Sequence, residues 1–535
     1  MLDYLFKDAD IVDGSGKEMY KGSVGVKNGK IVNVTGNEEA GEVIDASGKI
    51  LSPGFIDAHS HDDLILGTES SRMFKTTEGV TSEVTGQCSL SMAPVDPAHL
   101  DDIQNMLVMG TPSFPDKMIE WTTFPKYLDY VESLKLTTNA KMLVGHSSLR
   151  IAVMGMDNRE PTAKELDRMK GMLKEAMEAG AAGLSTGLIY TPCCYSKTDE
   201  IVELAKVIEP YGGIYTSHMR NESDKIVEAV KETIEIGRQS GVLVDISHHK
   251  MLGKPNWGKQ KETLKLIHGA WDEGIRVICD QYPYECNMTT LNACMPPWYF
   301  DNGFDAMTEN LKDPAFRAKI KKEMEDPSTE YDNYYLNAGG WTGVYCTLAG
   351  NTPEAEGKFI SDYAKEIGKD PFETFFDLCV ENNCRCGGVY SSMCEEDVVE
   401  IFKDSYCIVG SDGLTRDWNE KGHPRAAGTF PHVITYFVKD KKVATLEEAI
   451  HKMTGLTAYY LDLPNKGLIR EGYDADLVLF DYDDLKDTAT YSNPNSVTEG
   501  IKAVFVNGKP VYRDMKFTGI YSAGLIKNSW ALNHR

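Results

Sequence analysis

Eight strand-like runs in the middle of this chain each end in a polar, chemically useful residue, and this pattern constrains the fold more than any other. The first run, residues 50–61, closes on His59-Ser60-His61. The next three end at Cys88 (GVTSEVTGQC), His146 (AKMLVGH) and Tyr190 (AGLSTGLIY). The last four end at His218 (GGIYTSH), His248 (VLVDISHHK), Tyr282 (RVICDQY) and Asp412 (YCIVGSD). Reactive groups confined to strand C-terminal ends are the footprint of an α/β fold of the TIM-like (β/α)8 barrel type, whose site is built from those ends. His, Cys and Asp side chains are those that bind a divalent transition metal such as zinc.

A chain of 535 residues exceeds the ~250 typical of such a barrel, so further modules are expected. Residues 1–52 alternate apolar and polar positions between turn signals, as a small β meander does. The pattern returns in KGLIREGYDADLVLFDYDDL and IKAVFVNGKPVYRDMKFTG. Each half is too short to bury a core alone, so residues 1–52 and 468–535 are expected to form one composite β-sandwich flanking a barrel over 53–467. Two independent β modules are the competing arrangement. Between the strand ends lie amphipathic helices, clearest in AKELDRMKGMLKEAMEAGA and DKIVEAVKETIEIGRQSG, each stopping at Gly. Strand–helix alternation implies parallel pairing.

Residues 286–350 break this rhythm directly after the seventh strand. An insertion there sits on the active-site face and reads as a lid or specificity element; the alternative is a peripheral excursion. A net charge of −25 argues against nucleic-acid binding. No basic-then-apolar leader and no run of ~18 apolar residues is seen, so neither export nor a membrane span is expected. Twelve Cys without an export signal read as reduced thiols of a cytoplasmic protein.

His59 and His61 are two apart in a strand and share a face. Alone the pair is a weak signal. It gains force from His218, His248 and Asp412 at later strand ends, and a metal site is expected. His249 must point away from the face that His248 uses if the strand continues.

With PGFIDAHSHDD, GVTSEVTGQCSLSMAP, GLSTGLIYTP, YTSHMRNES, ISHHKMLGKPNWG, DQYPY, GSDG and HPRAAGTFP in hand, the chain resembles the amidohydrolase superfamily. Within it, the likeness is to the N-acyl-D-amino-acid deacylases (D-aminoacylases), over nearly the whole length. The resemblance implies a tightly held zinc on Cys88, His218 and His248. A second, weaker divalent position would use His59, His61 and Asp412 and share Cys88, which stands where many relatives carry a carboxylated Lys. It further implies that zinc activates water and polarises an N-acyl amide, with Asp412 taking and returning the proton. Lys250, Tyr282 and Arg425, with Tyr190 nearby, would clamp the substrate α-carboxylate. Surface positions for Lys250 and Arg425 are the plain alternative.

The loop after the seventh strand, ECNMTTLNACMPPWYF, has no Lys or Arg and carries Met288, Leu291, Met295 and Trp298, which favours a neutral or apolar substrate side chain. Cys193 and Cys194 in TPCCYS depart from the family pattern near the presumed entrance. Cys384, Cys386 and Cys394 lack a matching ligand set and read as thiols. The competing enzyme class is a cyclic amidase of the hydantoinase or dihydroorotase type, disfavoured because AAGLSTGL offers no Lys to bridge two metals. A non-enzymatic metal-stabilised scaffold would be expected to have lost a ligand or Asp412.

Overall fold

Period-two patterning at the N-terminus gives β1 (Leu2–Ile11), β2 (Tyr20–Lys27), β3 (Lys30–Val32), β4 (Ala40–Asp45) and β5 (Ile50–Pro53) in the computed structural model, which describes residues 1–107, 110–111, 113–414 and 416–534. Asn28 and Gly29, at φ 50° and 77°, make the tight turn between β2 and β3 that an Asn-Gly pair suits. There follow β6 (Phe55–Asp57), β7 (Val80–Thr85), β8 (Asn139–Met142) and β9 (Val144–Gly145). Next come β10 (Gly183–Gly187), β11 (Ile214–His218), β12 (Leu243–Ile246) and β13 (Val277–Gln281). An excursion carries β14 (Asn287–Thr290), β15 (Val344–Cys346), β16 (Lys358–Phe359) and β17 (Gly387–Tyr390) before β18 (Cys407–Val409). The chain then adds β19 (Leu477–Phe480), β20 (Ile501–Val506), β21 (Lys509–Arg513) and β22 (Lys516–Phe517).

The fold is mixed α/β. β6, β7 and β8 pair in parallel, and so do β9, β10, β11, β12, β13 and β18 in the order β18-β13-β12-β11-β10-β9. These strands are buried along their whole length, as parallel strands covered on both faces are. The two blocks meet where β8 runs into β9 through Leu143, whose N–H donates to Thr85 O at 2.9 Å. At the far ends Ala58 N–H donates to Val409 O (3.1 Å) and Asp412 N–H to His59 O (2.7 Å), so the first and last parallel strands are neighbours. Helices fill the intervals as the sequence predicts. Ala163–Ala179 opens on a Thr162/Glu165 capping box and stops at Gly180, φ 114°; Ile226–Ser240 stops at Gly241, φ 80°.

Both termini contribute to one β unit, and its hydrogen bonding is that of a single sheet rather than two. The order is β22-β21-β20-β19-β5-β1-β2-β3, with β4 on β1. The cause is β1, ten residues long, which pairs with β2 on one edge and with β4 and then β5 on the other. Phe6, Val26, Leu51, Leu477 and Phe505 share the core this sheet encloses. The insertion also differs from its expected end at residue 350: β14 pairs antiparallel with β17 as far as Tyr390, so the excursion closes on itself only there. The C-terminal segment returns to the parallel strands through an Ala140–Leu525 bridge. No helix among the described residues is long and apolar enough to cross a membrane.

One ionic group joins the first and last parallel strands. Asp57 accepts from Ser411 N (2.8 Å), Ser411 Oγ (2.6 Å), His59 N (3.1 Å) and Lys75 Nζ (2.8 Å). Lys75 is wholly buried, and although burial opposes its charge, Asp57 and its acidic neighbours hold the ammonium above its ordinary range. Removing one member of such a pair leaves the other charge stranded. Lys75→Met is therefore expected to destabilise the protein by about 3–5 kcal/mol in urea or thermal unfolding. A change under about 1 kcal/mol would mean that the Lys75–Asp57 pair does not hold the two strands together.

Candidate metal centre

The strand ends converge on one cavity of about 440 Å³, whose lining includes His61, Cys88, His218, His248 and Asp412. Three of these five stand just past a strand in left-handed backbone: Cys88 at φ 53°, His248 at φ 39° and Asp412 at φ 50°. Such a conformation costs roughly 1–3 kcal/mol per residue and persists where surroundings impose it, typically at functional sites. Here it turns the side chains inward at the point where each strand stops.

Cys88 Sγ lies 3.3 Å from both His59 Nε2 and His248 Nε2. Asp412 Oδ1 is 3.6 Å from His59 Nε2 and 3.3 Å from His61 Nε2. His59, Cys88, His248 and Asp412 each offer a ligand atom within 4.8 Å of the others, and so do His218, Glu222 and His248. All six sequence-predicted ligands are thus brought together: His59, His61, Cys88, His218, His248 and Asp412. Among the described residues these two groupings are the ones with metal-binding spacing; Cys384, Cys386 and Cys394 form none.

The electrostatics suit a cation with soft and borderline ligands. Burial pushes the Cys88 thiol up, but the charge on His59 and hydrogen bonds from His218 and His248 pull it well below its ordinary value, toward thiolate. Burial and the Lys250 ammonium hold His248 well below the usual imidazole range, in the neutral form that can coordinate. Burial opposes charge on Asp412, yet Arg425 and the histidines keep the carboxylate ionised. His61 is raised to about 9 despite burial, by Asp412 and Cys88. A thiolate, a carboxylate and imidazoles packed this closely attract positive charge, and the donor set fits zinc.

Two carboxylates escape sequence reading. Asp280 Oδ2 sits 3.0 Å from His59 Nδ1, which leaves Nε2 to face Cys88. Glu222 Oε1 is shared by Lys250 Nζ (2.6 Å) and His248 Nδ1 (3.1 Å), while its buried Oε2 lacks a hydrogen-bond partner and faces His218 Nε2 at 3.5 Å. A signal was present for each. Asp280 interrupts the apolar run VICDQ, and Glu222 follows His218 by four residues.

The remaining predicted residues divide. Lys250 and Tyr190 line the cavity; Tyr190 donates to or accepts from Thr289 Oγ1 at 2.8 Å. Tyr282 and Arg425 lie behind the wall, both 1% exposed. The Arg425 guanidinium covers the Tyr282 ring at 4.6 Å and approaches Asp412 Oδ2 at 2.9 Å. His249 points away, to Thr263 Oγ1 at 2.9 Å. His146, a strand end in the sequence, belongs to a separate buried group with Cys193 Sγ (3.0 Å) and Glu200 (2.8 Å). Cys194 reaches the cavity. The insertion covers the site: Met288, Met295 and Trp298 line it, whereas Leu291 is buried in a hydrophobic cluster that the insertion shares with its neighbours.

A family model described as the amidohydrolase family matches residues 42–284 and 407–512, flanking the excursion. D-aminoacylase of Alcaligenes xylosoxydans xylosoxydans is 34% identical over 532 residues, 99% of this chain and 98% of that protein. N-acyl-D-aspartate deacylase of the same organism is 35% identical over 527 residues, 98% and 94% of the two. A D-aminoacylase structure concerned with the role of a binuclear metal centre, with one-metal activation and second-metal attenuation, superposes with TM-score 0.81 at 34% identity, covering 99% and 100%. N-acyl-D-glutamate deacylase from Bordetella bronchiseptica, complexed with zinc and a phosphonate mimic of the tetrahedral intermediate, gives 0.81 at 32%, covering 98% and 99%. L-hydantoinase from Arthrobacter aurescens gives 0.57 at 15%, covering 98% and 100%, a likeness of fold alone.

Second-sphere carboxylates that orient metal-binding histidines are worth about 10–100-fold in metal affinity. Glu222→Gln is expected to lower zinc affinity by that factor, read by competition with a chromogenic chelator on protein whose circular dichroism is unchanged. Undiminished affinity would detach Glu222 from the centre.

Proposed function

The chain belongs to the amidohydrolase family, and from that premise we propose that it hydrolyses N-acyl-D-amino acids to a carboxylate and a free D-amino acid. The observation that carries this reading is Cys88 between His59 and His248, facing Asp412, on the floor of one cavity in a chain similar to D-aminoacylase end to end. Closure of the parallel strands into a (β/α)8 barrel belongs to the same reading, supported by the bonds between the first and last of them.

By the family resemblance, Cys88, His218 and His248 would hold the tight zinc ion and His59, His61 and Asp412 a weaker second position; the donor sets found close together are His59, Cys88, His248 and Asp412, and His218, Glu222 and His248. Zinc bound there supplies Lewis acidity for the scissile carbonyl and a nucleophile from water at neutral pH. Asp412, kept ionised, takes the proton from the attacking water and returns it to the leaving amine. Asp280 and Glu222 fix the rings of His59 and His248. Lys250, Tyr282 and Arg425, with Tyr190 beside them, receive the α-carboxylate. Arg425 then exchanges the Asp412 carboxylate for that of the substrate, which releases Asp412 for proton transfer.

The cations lining the cavity are Lys250 and Arg220, among the described residues, and each already faces a carboxylate: Glu222 for Lys250, Glu232 for Arg220 at 3.0 Å. With Met288, Met295 and Trp298 alongside, a neutral or apolar substrate side chain is the better fit.

Amine release from N-acetyl-D- and L-methionine, leucine and glutamate, beside hydantoin and dihydroorotate, tests this with zinc supplied. Turnover of the D-Met or D-Leu derivative is expected, falling about 10²–10⁴-fold in Asp412→Ala. Preference for D-Glu would retain the chemistry and refute the apolar pocket. Turnover of the cyclic amides alone would refute the deacylase.

A further inference from the structure

Two separate hydrophobic clusters meet the cavity. One runs from the insertion through the helices beside it to the terminal sheet, and presents Met295, Phe300 and Tyr334 at the cavity. The other packs outside the parallel strands and presents Leu188 and Leu414, with Leu90, Met106 and Met156 against it. The metal-type cluster lies on the floor they share. Nothing in the reaction proposed above uses the second wall.

The deacylase reading, on which this inference rests, orients the substrate between the two walls. The α-carboxylate needs a cation, and Lys250 follows β12, lies 5.9 Å over the Tyr282 ring and is bound to Glu222 beyond β11. The amino-acid half therefore lies toward the insertion. The scissile amide sits over the floor, so the acyl half must point the other way, toward residues that follow β7, β10 and β18. Leu90 is two residues past Cys88, Leu188 is the first beyond β10, and Leu414 is two past Asp412.

We propose that Leu90, Met106, Met156, Leu188 and Leu414 form a subsite for a straight aliphatic acyl chain well beyond acetyl, so that the preferred substrates are N-acyl-D-amino acids with medium or longer acyl groups. None of the five carries a charge or a hydrogen-bonding group to satisfy. The two methionines are flexible and polarizable, suited to a chain of variable length. A space of about 440 Å³ is in the range that buries drug-sized ligands and leaves room past an acetyl group.

The test is an acyl-length series (acetyl, butanoyl, hexanoyl, octanoyl) on whichever D-amino acid is turned over fastest as its acetyl derivative, with zinc supplied. The expected result is a kcat/KM that rises by up to about fourfold per added methylene, as burial of each should give. Met156→Glu is expected to lower the octanoyl-to-acetyl ratio of kcat/KM tenfold or more, and the milder Met156→Ala to lower it severalfold. A flat or falling series in protein that cleaves the acetyl substrate overturns the subsite and leaves the deacylase standing. A ratio unmoved in both variants overturns the assigned wall. No turnover at any length overturns both readings.

Discussion

The buried carboxylate of Asp57 is the constraint from which the rest of the site follows. It takes four hydrogen bonds, from two atoms of Ser411, the backbone of His59 and the ammonium of Lys75. Those donors come from the first parallel strand, the helix after it and the loop after the last strand. One anion therefore sets the distance between His59-Ser60-His61 and Ser411-Asp412. That registration sets the two metal-type histidines of the first strand opposite Asp412, alongside backbone bonds from Ala58 N to Val409 O (3.1 Å), Asp412 N to His59 O (2.7 Å) and His61 N to Gly413 O (3.3 Å).

The centre itself is a set of mutually compensated liabilities. Cys88, His248 and Asp412 hold backbone conformations that L-residues avoid, and each also carries a side chain that burial alone would neutralise or leave uncharged. Two of these are offset by a neighbour, the thiolate by imidazoles and Asp412 by Arg425, as the buried Lys250 is by Glu222, whereas His248 stays neutral. The arrangement keeps charge on buried side chains, where electrostatic interactions act strongly. The same compensation explains why Arg425 stands behind the wall. Asp412 is its partner there, at 2.9 Å.

Much of this was legible in the residue order. Strand ends announce themselves by a polar residue closing a buried run, and the six residues expected as ligands, all picked that way, are ones the structure brings together. Helix stops at Gly180 and Gly241 were equally plain. Asp280 and Glu222 were less plain: Asp280 meets the centre through the ring of His59, and Glu222, four residues after His218, stands beyond the end of its strand rather than closing it. The depth of Arg425 and Tyr282 depends on how the loop after β18 folds back, which no local pattern encodes. The single terminal sheet was hidden because β1 pairs along one edge with two different strands. The insertion's true extent was hidden for a related reason: its closing partner for β14 lies at Gly387–Tyr390, beyond an intervening run of helices.

The order of strands in the terminal sheet has a consequence for how the chain is made. β5, at Ile50–Pro53, finds one of its two neighbours in β19, at Leu477–Phe480. On a ribosome adding about 5–20 residues per second, that neighbour emerges roughly 20–85 s after β5 does. During that interval the edge of β5 that β19 will cover stays open, with its backbone groups unpaired. The parallel strands from β6 to β13 can assemble meanwhile, since their partners are consecutive, and β18 joins them only after the excursion is made. The sheet then acts as a latch that engages late, and the nascent protein must keep a strand edge from pairing with other chains for most of its own synthesis.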